Sequence, residues 1–212
     1  MPAPFSPSLT RARRKEETRA RVLRTALELF VKNGYGATST ADIARHAEVA
    51  HGTVFNIAPT KERLALEACQ DRLRETGAAA LAAGRRRKGL RAQCLTIFEA
   101  LYDFYAAHPE LSRVLLKEQV FAAAPEGEAR QEELMQDFFA GFGLLAAEAQ
   151  ARGELRKEVK IPDLITGVFS LYLLFLLALL NGRYATRAEH RKAYEGALKV
   201  LLEGNATALT GR

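Results

Sequence analysis

The chain has 212 residues, 48% of them hydrophobic, which is enough to bury one large or two modest cores. Its formal net charge is +6, and the excess is uneven: residues 1–65 hold 11 Lys and Arg against 6 Asp and Glu, whereas residues 66–212 hold 20 against 19. Such a basic segment favours a polyanionic partner, because cations that neutralise phosphates give sequence-independent affinity. Cys69 and Cys94 lack CxxC spacing, so neither a disulfide framework nor a zinc site is expected. Residues 1–14 contain no apolar signal core and are predicted to form a flexible basic arm of a cytoplasmic protein.

The first predicted helix runs from about Lys15 to Lys32, where apolar residues recur at three- and four-residue spacing. Gly34 follows as a left-handed stop. Ser39 stands three residues before Asp42, a spacing that predicts a helix N-cap and a short second helix from about Thr40 to His46.

A third helix is predicted from about Ala50 to Asn56, and a fourth from Lys61 to about Ala83, with Thr60 as its cap. The basic run GRRRKG is predicted to form an exposed connection between the fourth helix and the next one. Five further helices are predicted over Leu90 to Ala107, Glu110 to Ala123, Glu126 to Arg152, Asp163 to Asn181 and Arg187 to Glu203. The expected fold is therefore all-α, with about nine helices and no sheet.

One stretch, Leu164 to Leu180, contains 17 residues without a charge. That is the lower limit for a membrane span, which needs roughly 20 apolar residues. A helix buried against its own domain and a second subunit is the favoured interpretation, and a membrane-attached interaction protein is the alternative.

The N-terminal third contains motifs in an order that is typical of a known family. ALELF, GYGATS, DIA, GTVF and PTKE follow one another between Thr18 and Leu66. This segment resembles the DNA-binding domain of the TetR family of bacterial transcriptional regulators. The resemblance implies a helix-turn-helix DNA-binding domain over residues 15–60 and a helical ligand-binding and dimerisation domain over residues 61–212. It also implies a homodimer on a palindromic double-stranded DNA operator.

Eight residues fall on positions that the resemblance assigns to DNA contact: Ser39, Thr40, His51, Gly52, Thr53, Phe55, Asn56 and Lys61. The backbone N–H groups at the start of a helix and the Lys61 cation can bind phosphates. The polar side chains of the third helix can form hydrogen bonds to base edges or phosphates.

Four positions depart from the family pattern. Glu48 stands where a turn glycine is expected, which predicts a strained backbone. Ala50 stands where Ser or Thr would cap the third helix, Phe55 lacks a tyrosine hydroxyl, and Ala58 replaces an aromatic packing residue. The fold prediction is unaffected by these four positions, and the sequence leaves open whether they weaken operator binding.

The C-terminal part contains many aromatic residues at helical spacing, which suits either an ordinary core or an apolar ligand cavity. Six of them are the predicted ligand contacts: Phe98, Tyr102, Phe121, Phe142, Tyr172 and Phe175. Because these apolar faces contain few ionisable groups, the expected effector is a small hydrophobic or aromatic molecule.

No nucleophile, nucleotide-binding or metal-ligand motif is present, so neither an enzyme nor a cofactor is expected. The sequence predicts a ligand-responsive repressor. A DNA-binding regulator without a small-molecule inducer is a second interpretation.

Overall fold

A computed structural model describes residues 7–121 and 128–204, with side chains at 11–120 and 135–204. Within those parts the chain is helical and contains no strand, as predicted. The nine helices are α1 (Pro7–Asn33), α2 (Thr40–His46), α3 (His51–Ile57), α4 (Lys61–Arg85), α5 (Leu90–Ala107), α6 (Pro109–Phe121), α7 (Glu128–Ala151), α8 (Ile161–Leu180) and α9 (Arg187–Glu203).

The predicted start of α1 near Lys15 is wrong, because the helix begins at Pro7. Proline fits the first turn of a helix, where its missing N–H has no intrahelical partner, and the arginines that follow are good helix formers. Arg13 then forms an ion pair with Glu17 at 2.9 Å, one helical turn along. The predicted flexible arm is therefore helical from Pro7, and its residues 1–6 lie outside the described residues.

The first compact unit is discontinuous in sequence and consists of Met1–Asp71 and Glu110–Ala123. Its core contains buried apolar residues of α1 to α4, and Leu111 and Leu115 of α6 complete that core. Gly34 ends α1 with φ +90°, as predicted for a left-handed stop. A Cβ on Gly36 would lie 2.7 Å from Oε1 of Glu110, so the Glu110 side chain at the start of α6 approaches this turn closely and would have to move if Gly36 were replaced.

The second compact unit consists of Arg72–Pro109 and Ala124–Arg212. Helices α5, α7, α8 and α9 pack on one another within it. The first unit therefore ends, and the second begins, within α4, between Asp71 and Arg72. The functional domains expected at residues 15–60 and 61–212 stay a prediction.

Of the described helices, only α8 is long and apolar enough to cross a membrane, with a mean hydropathy of 2.2. A core helix of a soluble protein can pass the same test. Leu164, Val168, Tyr172 and Leu176 are buried at four-residue spacing, which gives α8 one face packed inside the unit. Its opposite face includes the exposed Leu174 and Leu177.

Candidate functional site

The start of α2 carries the capping arrangement that the sequence predicts. The Ser39 hydroxyl accepts a hydrogen bond from the Asp42 backbone N–H at 3.0 Å, and Asp42 Oδ2 accepts one from the Ser39 backbone N–H at 3.2 Å. Hydrogen bonds from the Ser39 hydroxyl and backbone, helped by Arg45, lower the pKa of Asp42 to about 2. The capping box holds Thr40 as the first residue of α2.

The turn between α2 and α3 reverses the chain through one left-handed residue. Val49 N–H donates to the Ala44 carbonyl at 3.0 Å, and Glu48 N–H donates to the Arg45 carbonyl at 3.3 Å. This pair of bonds defines a Schellman motif, whose left-handed position is usually glycine. Glu48 occupies that position with φ 53° and is the only non-glycine residue with positive φ in the described chain. The strained backbone predicted at Glu48 is confirmed.

Helix α3 turns most of its surface to solvent. Val54 is its one buried residue, and it belongs to the core of the first unit. His51, Gly52, Phe55 and Asn56 are exposed. A Cβ on Gly52 would meet no atom within 4 Å, so a second macromolecule can approach the helix backbone closely there.

Two of the predicted DNA-contact residues join α2 to α3. Thr40 Oγ1 and His51 Nε2 lie 3.0 Å apart, which is a hydrogen bond between the first residues of the two helices. The His51 ring also meets the edge of Phe55 at a centroid distance of 5.0 Å. The structure therefore brings Ser39, Thr40, His51 and Phe55 to one surface. Thr53, one turn before Ile57, is half-buried.

Two of the residues that depart from the family pattern, Ala50 and Ala58, lie at the two ends of α3. Ala50 occupies the N-cap with extended backbone and provides no side-chain hydrogen bond. Ala58 is buried in the core of the first unit, with 2% of its surface exposed. Val54 and the partly buried Ile57 are the residues of α3 that pack against the same core.

Lys61 lies at the first position of α4, and its ammonium stands 4.1 Å from the ring centroid of Tyr35. The half-buried cation therefore rests on an aromatic face. Burial, together with the carboxylate of Glu62, raises the pKa of the Tyr35 hydroxyl. The structure thus gives Lys61 an intramolecular contact besides its predicted role at phosphates.

Two arginines of α1 donate hydrogen bonds to the C-terminal ends of α2 and α3, and the sequence did not predict these contacts. Arg21 Nε donates to the Ala47 carbonyl at 2.9 Å, at the end of α2. Arg19 Nη1 donates to the Ile57 carbonyl at 3.4 Å, at the end of α3, while its Nη2 forms an ion pair with Glu67 of α4. The only available signal was the density of arginine in the first helix.

Glu67 is a shared carboxylate within the first unit. Its Oε1 accepts a hydrogen bond from Arg63 Nε at 3.3 Å, and its Oε2 pairs with Arg19. The side chains of Glu67 and Arg63 are 11% and 9% exposed, so this network is largely withdrawn from water. It fixes the end of α3 relative to α1 and α4.

Five of the six predicted ligand contacts form one buried aromatic cluster in the second unit. Phe98 lies 5.0 Å from Tyr172 and 5.8 Å from Phe142 by ring centroids, and Tyr102 lies 5.1 Å from Tyr172. Phe175 joins the cluster through α9. Phe121 has a side chain outside the described residues. The ligand role of all six stays a prediction, because the rings are packed on one another as in a core.

Helix α9 adds two residues that the sequence interpretation did not select. His190 is fully buried; Arg187 Nη1 donates to its Nδ1 at 2.8 Å, and its Nε2 donates to the Phe175 carbonyl at 3.2 Å. Burial lowers the pKa of His190, which keeps the ring neutral. Tyr194 is also fully buried and lies 5.2 Å from Tyr102 by ring centroids.

An open cleft of about 550 Å³ lies elsewhere in the second unit. Its lining is mixed in charge and includes Arg156, Glu158, Lys160 and Asp163. None of the five predicted aromatic ligand contacts with a described side chain lines this cleft, so it is separate from the aromatic cluster.

Comparisons with known proteins agree on the first unit. Residues 22–68 match the family described as bacterial regulatory proteins, tetR family. The chain is 45% identical over 47 residues to the transcriptional regulator QacR of Staphylococcus aureus, and 44% identical over 50 residues to a transcriptional repressor of Mycobacterium tuberculosis. These matches span 22% and 24% of this chain and about a quarter of each relative, 25% and 27%.

Solved structures extend the likeness to the whole fold. A putative tetR family regulator from Shewanella sp. PV-4 matches with a TM-score of 0.57 and 26% identity, over 90% of this chain and 98% of the other. The regulator FadR from Bacillus subtilis, solved with stearoyl-CoA, matches with a TM-score of 0.63 and 14% identity, over 87% and 97%. Residues 22–68 therefore contain the domain of the tetR family of bacterial regulatory proteins, and the fold of the described residues is similar to that of a solved tetR family regulator.

Proposed function

We propose that the protein is a ligand-responsive transcriptional repressor that binds a palindromic operator as a homodimer. The observation that carries the proposal is the exposed surface formed by the starts of α2 and α3. There Thr40 and His51 are joined at 3.0 Å, and Gly52 leaves the helix backbone open. Such a short exposed helix suits the major groove.

The candidate DNA contacts separate into two kinds. Ser39 and Thr40 lie at the start of α2, where backbone N–H groups favour phosphate, and Lys61 adds a cation. His51 and Asn56 are exposed on α3 and offer donors and acceptors to base edges. Contacts of the first kind give affinity, whereas contacts of the second kind give sequence preference.

Fluorescence anisotropy with labelled DNA from the gene's own upstream region tests this division. His51→Ala should reduce the preference for that DNA over an unrelated duplex, whereas Lys61→Ala should weaken binding to both duplexes and reduce the salt dependence. Lys157→Ala is the matched control, since Lys157 is an exposed cation of the second unit. If the parent protein binds neither duplex at low salt, the proposal fails.

The proposed dimer would use α8 and α9. Leu174, Leu177 and Val200 are exposed to 61%, 41% and 75%, and each would gain from burial against a second copy. Leu174→Glu should yield a monomer in sedimentation velocity, with Lys192→Glu as a charge control on the polar side of α9. The alternative is a membrane-attached protein that would use α8, which could cross a membrane by its length and composition. Cell fractionation separates the two, because a wholly soluble dimer contradicts membrane attachment.

The proposed effector is an apolar or aromatic molecule that the aromatic cluster accommodates. FadR of Bacillus subtilis, which shares this fold, was solved with stearoyl-CoA, and the long apolar acyl chain of that ligand supports an effector with a large apolar part. Close packing of Phe98, Tyr102 and Tyr172 favours the second candidate, a DNA-binding regulator without an inducer. If an apolar compound releases bound DNA from the protein, the ligand-responsive repressor is supported over the regulator without an inducer.

A further inference from the structure

The aromatic cluster contains one buried hydroxyl that has no hydrogen-bond partner among the described residues. It belongs to Tyr194, whose side chain is fully buried. A buried hydroxyl without a partner costs free energy that a phenylalanine at the same place would avoid. A functional role for the hydroxyl would account for its presence.

Two other polar side chains of the same cluster, Tyr102 and His190, do have hydrogen-bond partners. The Tyr102 hydroxyl donates to the Tyr172 carbonyl at 3.2 Å. Both ring nitrogens of His190 have partners, Arg187 at 2.8 Å and the Phe175 carbonyl at 3.2 Å. These groups hold α5, α8 and α9 together, so their hydrogen bonds are explained by the fold.

The rings around Tyr194 are those predicted to contact a ligand. Phe98, Tyr102 and Phe175 lie 6.2, 5.2 and 5.5 Å from it by ring centroids. The cluster continues from Phe98 to Phe138 of α7, 6.3 Å away and only half-buried. An apolar molecule that displaces the Phe138 ring would therefore reach the centre of the cluster along aromatic faces.

We propose that the Tyr194 hydroxyl is the polar anchor of the effector site, and that the effector is an uncharged molecule with a carbonyl or hydroxyl group on an apolar skeleton. This inference rests on the proposed function. The Tyr194 hydroxyl would donate to the carbonyl oxygen, and the surrounding rings would hold the skeleton.

An uncharged polar group fits this place better than an ionised one. The nearest carboxylate on α5 is Glu99, whose Oε1 is buried without a hydrogen-bond partner and whose Oε2 lies 3.3 Å from Arg187. A second buried anion beside Glu99 would be repelled and would lose its hydration. Burial raises the pKa of Glu99 although Arg187 and Arg191 act in the opposite direction, so desolvation outweighs the attraction of these cations for negative charge here.

Two variants of the full chain separate the anchor from a structural role. Tyr194→Phe removes the hydroxyl without a partner, so the melting temperature without ligand should stay the same or rise. Tyr102→Phe is the matched control, since it removes a hydroxyl that donates to the Tyr172 carbonyl and should lower the melting temperature. A fall in the melting temperature of Tyr194→Phe as large as that of Tyr102→Phe would overturn the inference.

The ligand probes are 2-acetylnaphthalene and 2-ethylnaphthalene, which share a skeleton and differ by a carbonyl. The parent protein should bind the ketone about five- to tenfold more tightly by calorimetry, as one hydrogen bond predicts. Tyr194→Phe should abolish this preference, and Tyr102→Phe should keep it. Equal binding of both compounds by the parent protein, or binding of neither, overturns the inference. Anisotropy with labelled DNA reports separately on the proposed function, which fails if the parent protein binds no DNA, whatever the calorimetry gives.

Discussion

Replacing Glu48 by glycine should stabilise the protein and should do so through the backbone. Glu48 lies at the left-handed position of the Schellman motif between α2 and α3, with φ 53°. Its side chain is exposed and makes no hydrogen bond among the described residues. The substitution therefore removes a Cβ from a strained conformation without removing a native contact.

The size of the effect follows from two opposing terms. A non-glycine residue in the left-handed region costs about 1–2 kcal/mol. Glycine adds entropy to the unfolded chain, which offsets roughly 0.5–1 kcal/mol of that gain. Glu48→Gly should thus raise the free energy of unfolding by about 0.5–1 kcal/mol, or the melting temperature by about 1–4 °C in a chain of this size.

Glu48→Gln separates the backbone effect from the charge. It keeps the Cβ and removes the carboxylate, so its melting temperature by calorimetry should equal that of the parent. Both variants should bind DNA more tightly at low salt, because each removes an anion beside the proposed phosphate contacts. Equal stabilisation by Glu48→Gln and Glu48→Gly would refute the backbone argument.

Three further predictions concern helix ends and buried charges. Ala50→Ser provides the missing N-cap of α3 and should raise the free energy of unfolding by about 0.5–1 kcal/mol in urea titrations, whereas Ala50→Val should give no gain. Because the pKa of buried His190 is lowered, the unfolded chain binds a proton on this residue at a higher pH than the folded chain does, so the free energy of unfolding should fall as the pH drops below 6.5. If the free energy of unfolding of His190→Gln falls just as steeply with pH, this prediction is wrong. Glu67→Gln removes the carboxylate that Arg19 and Arg63 share, so it should lower the free energy of unfolding by about 1–3 kcal/mol and weaken binding to all DNA sequences. An unchanged affinity for DNA would show that this network does not set the position of α3.

Local signals predicted the elements of the fold well. Ser39 and Asp42 predicted the start of α2, and Gly34 predicted the end of α1, because each acts on backbone within a few residues. The strain at Glu48 followed from its place in the family pattern. The bounds of α5 and α9 agree with the prediction because helix ends, too, depend on residues close to them in sequence.

Contacts between distant residues could not be predicted in this way. Arg19 and Glu67 are 48 residues apart, and nothing in either local pattern indicates that they pair. Tyr194 was missed because one tyrosine in a charged helix has no distinctive spacing, and only the packed cluster shows that its hydroxyl is buried. The aromatic residues of α5 and α8 were found as a group, but the pattern did not separate a ligand site from a core.

The discontinuous first unit limits how this regulator can be recombined. Leu111 and Leu115 belong to its core with 4% and 2% of their surface exposed, although they are far along the chain from α1 to α4. A fragment that ends at Asp71 would leave a hydrophobic hole on its surface and invite aggregation. Chimeric proteins that exchange the second unit between relatives must therefore take α6 from the same parent as α1 to α4.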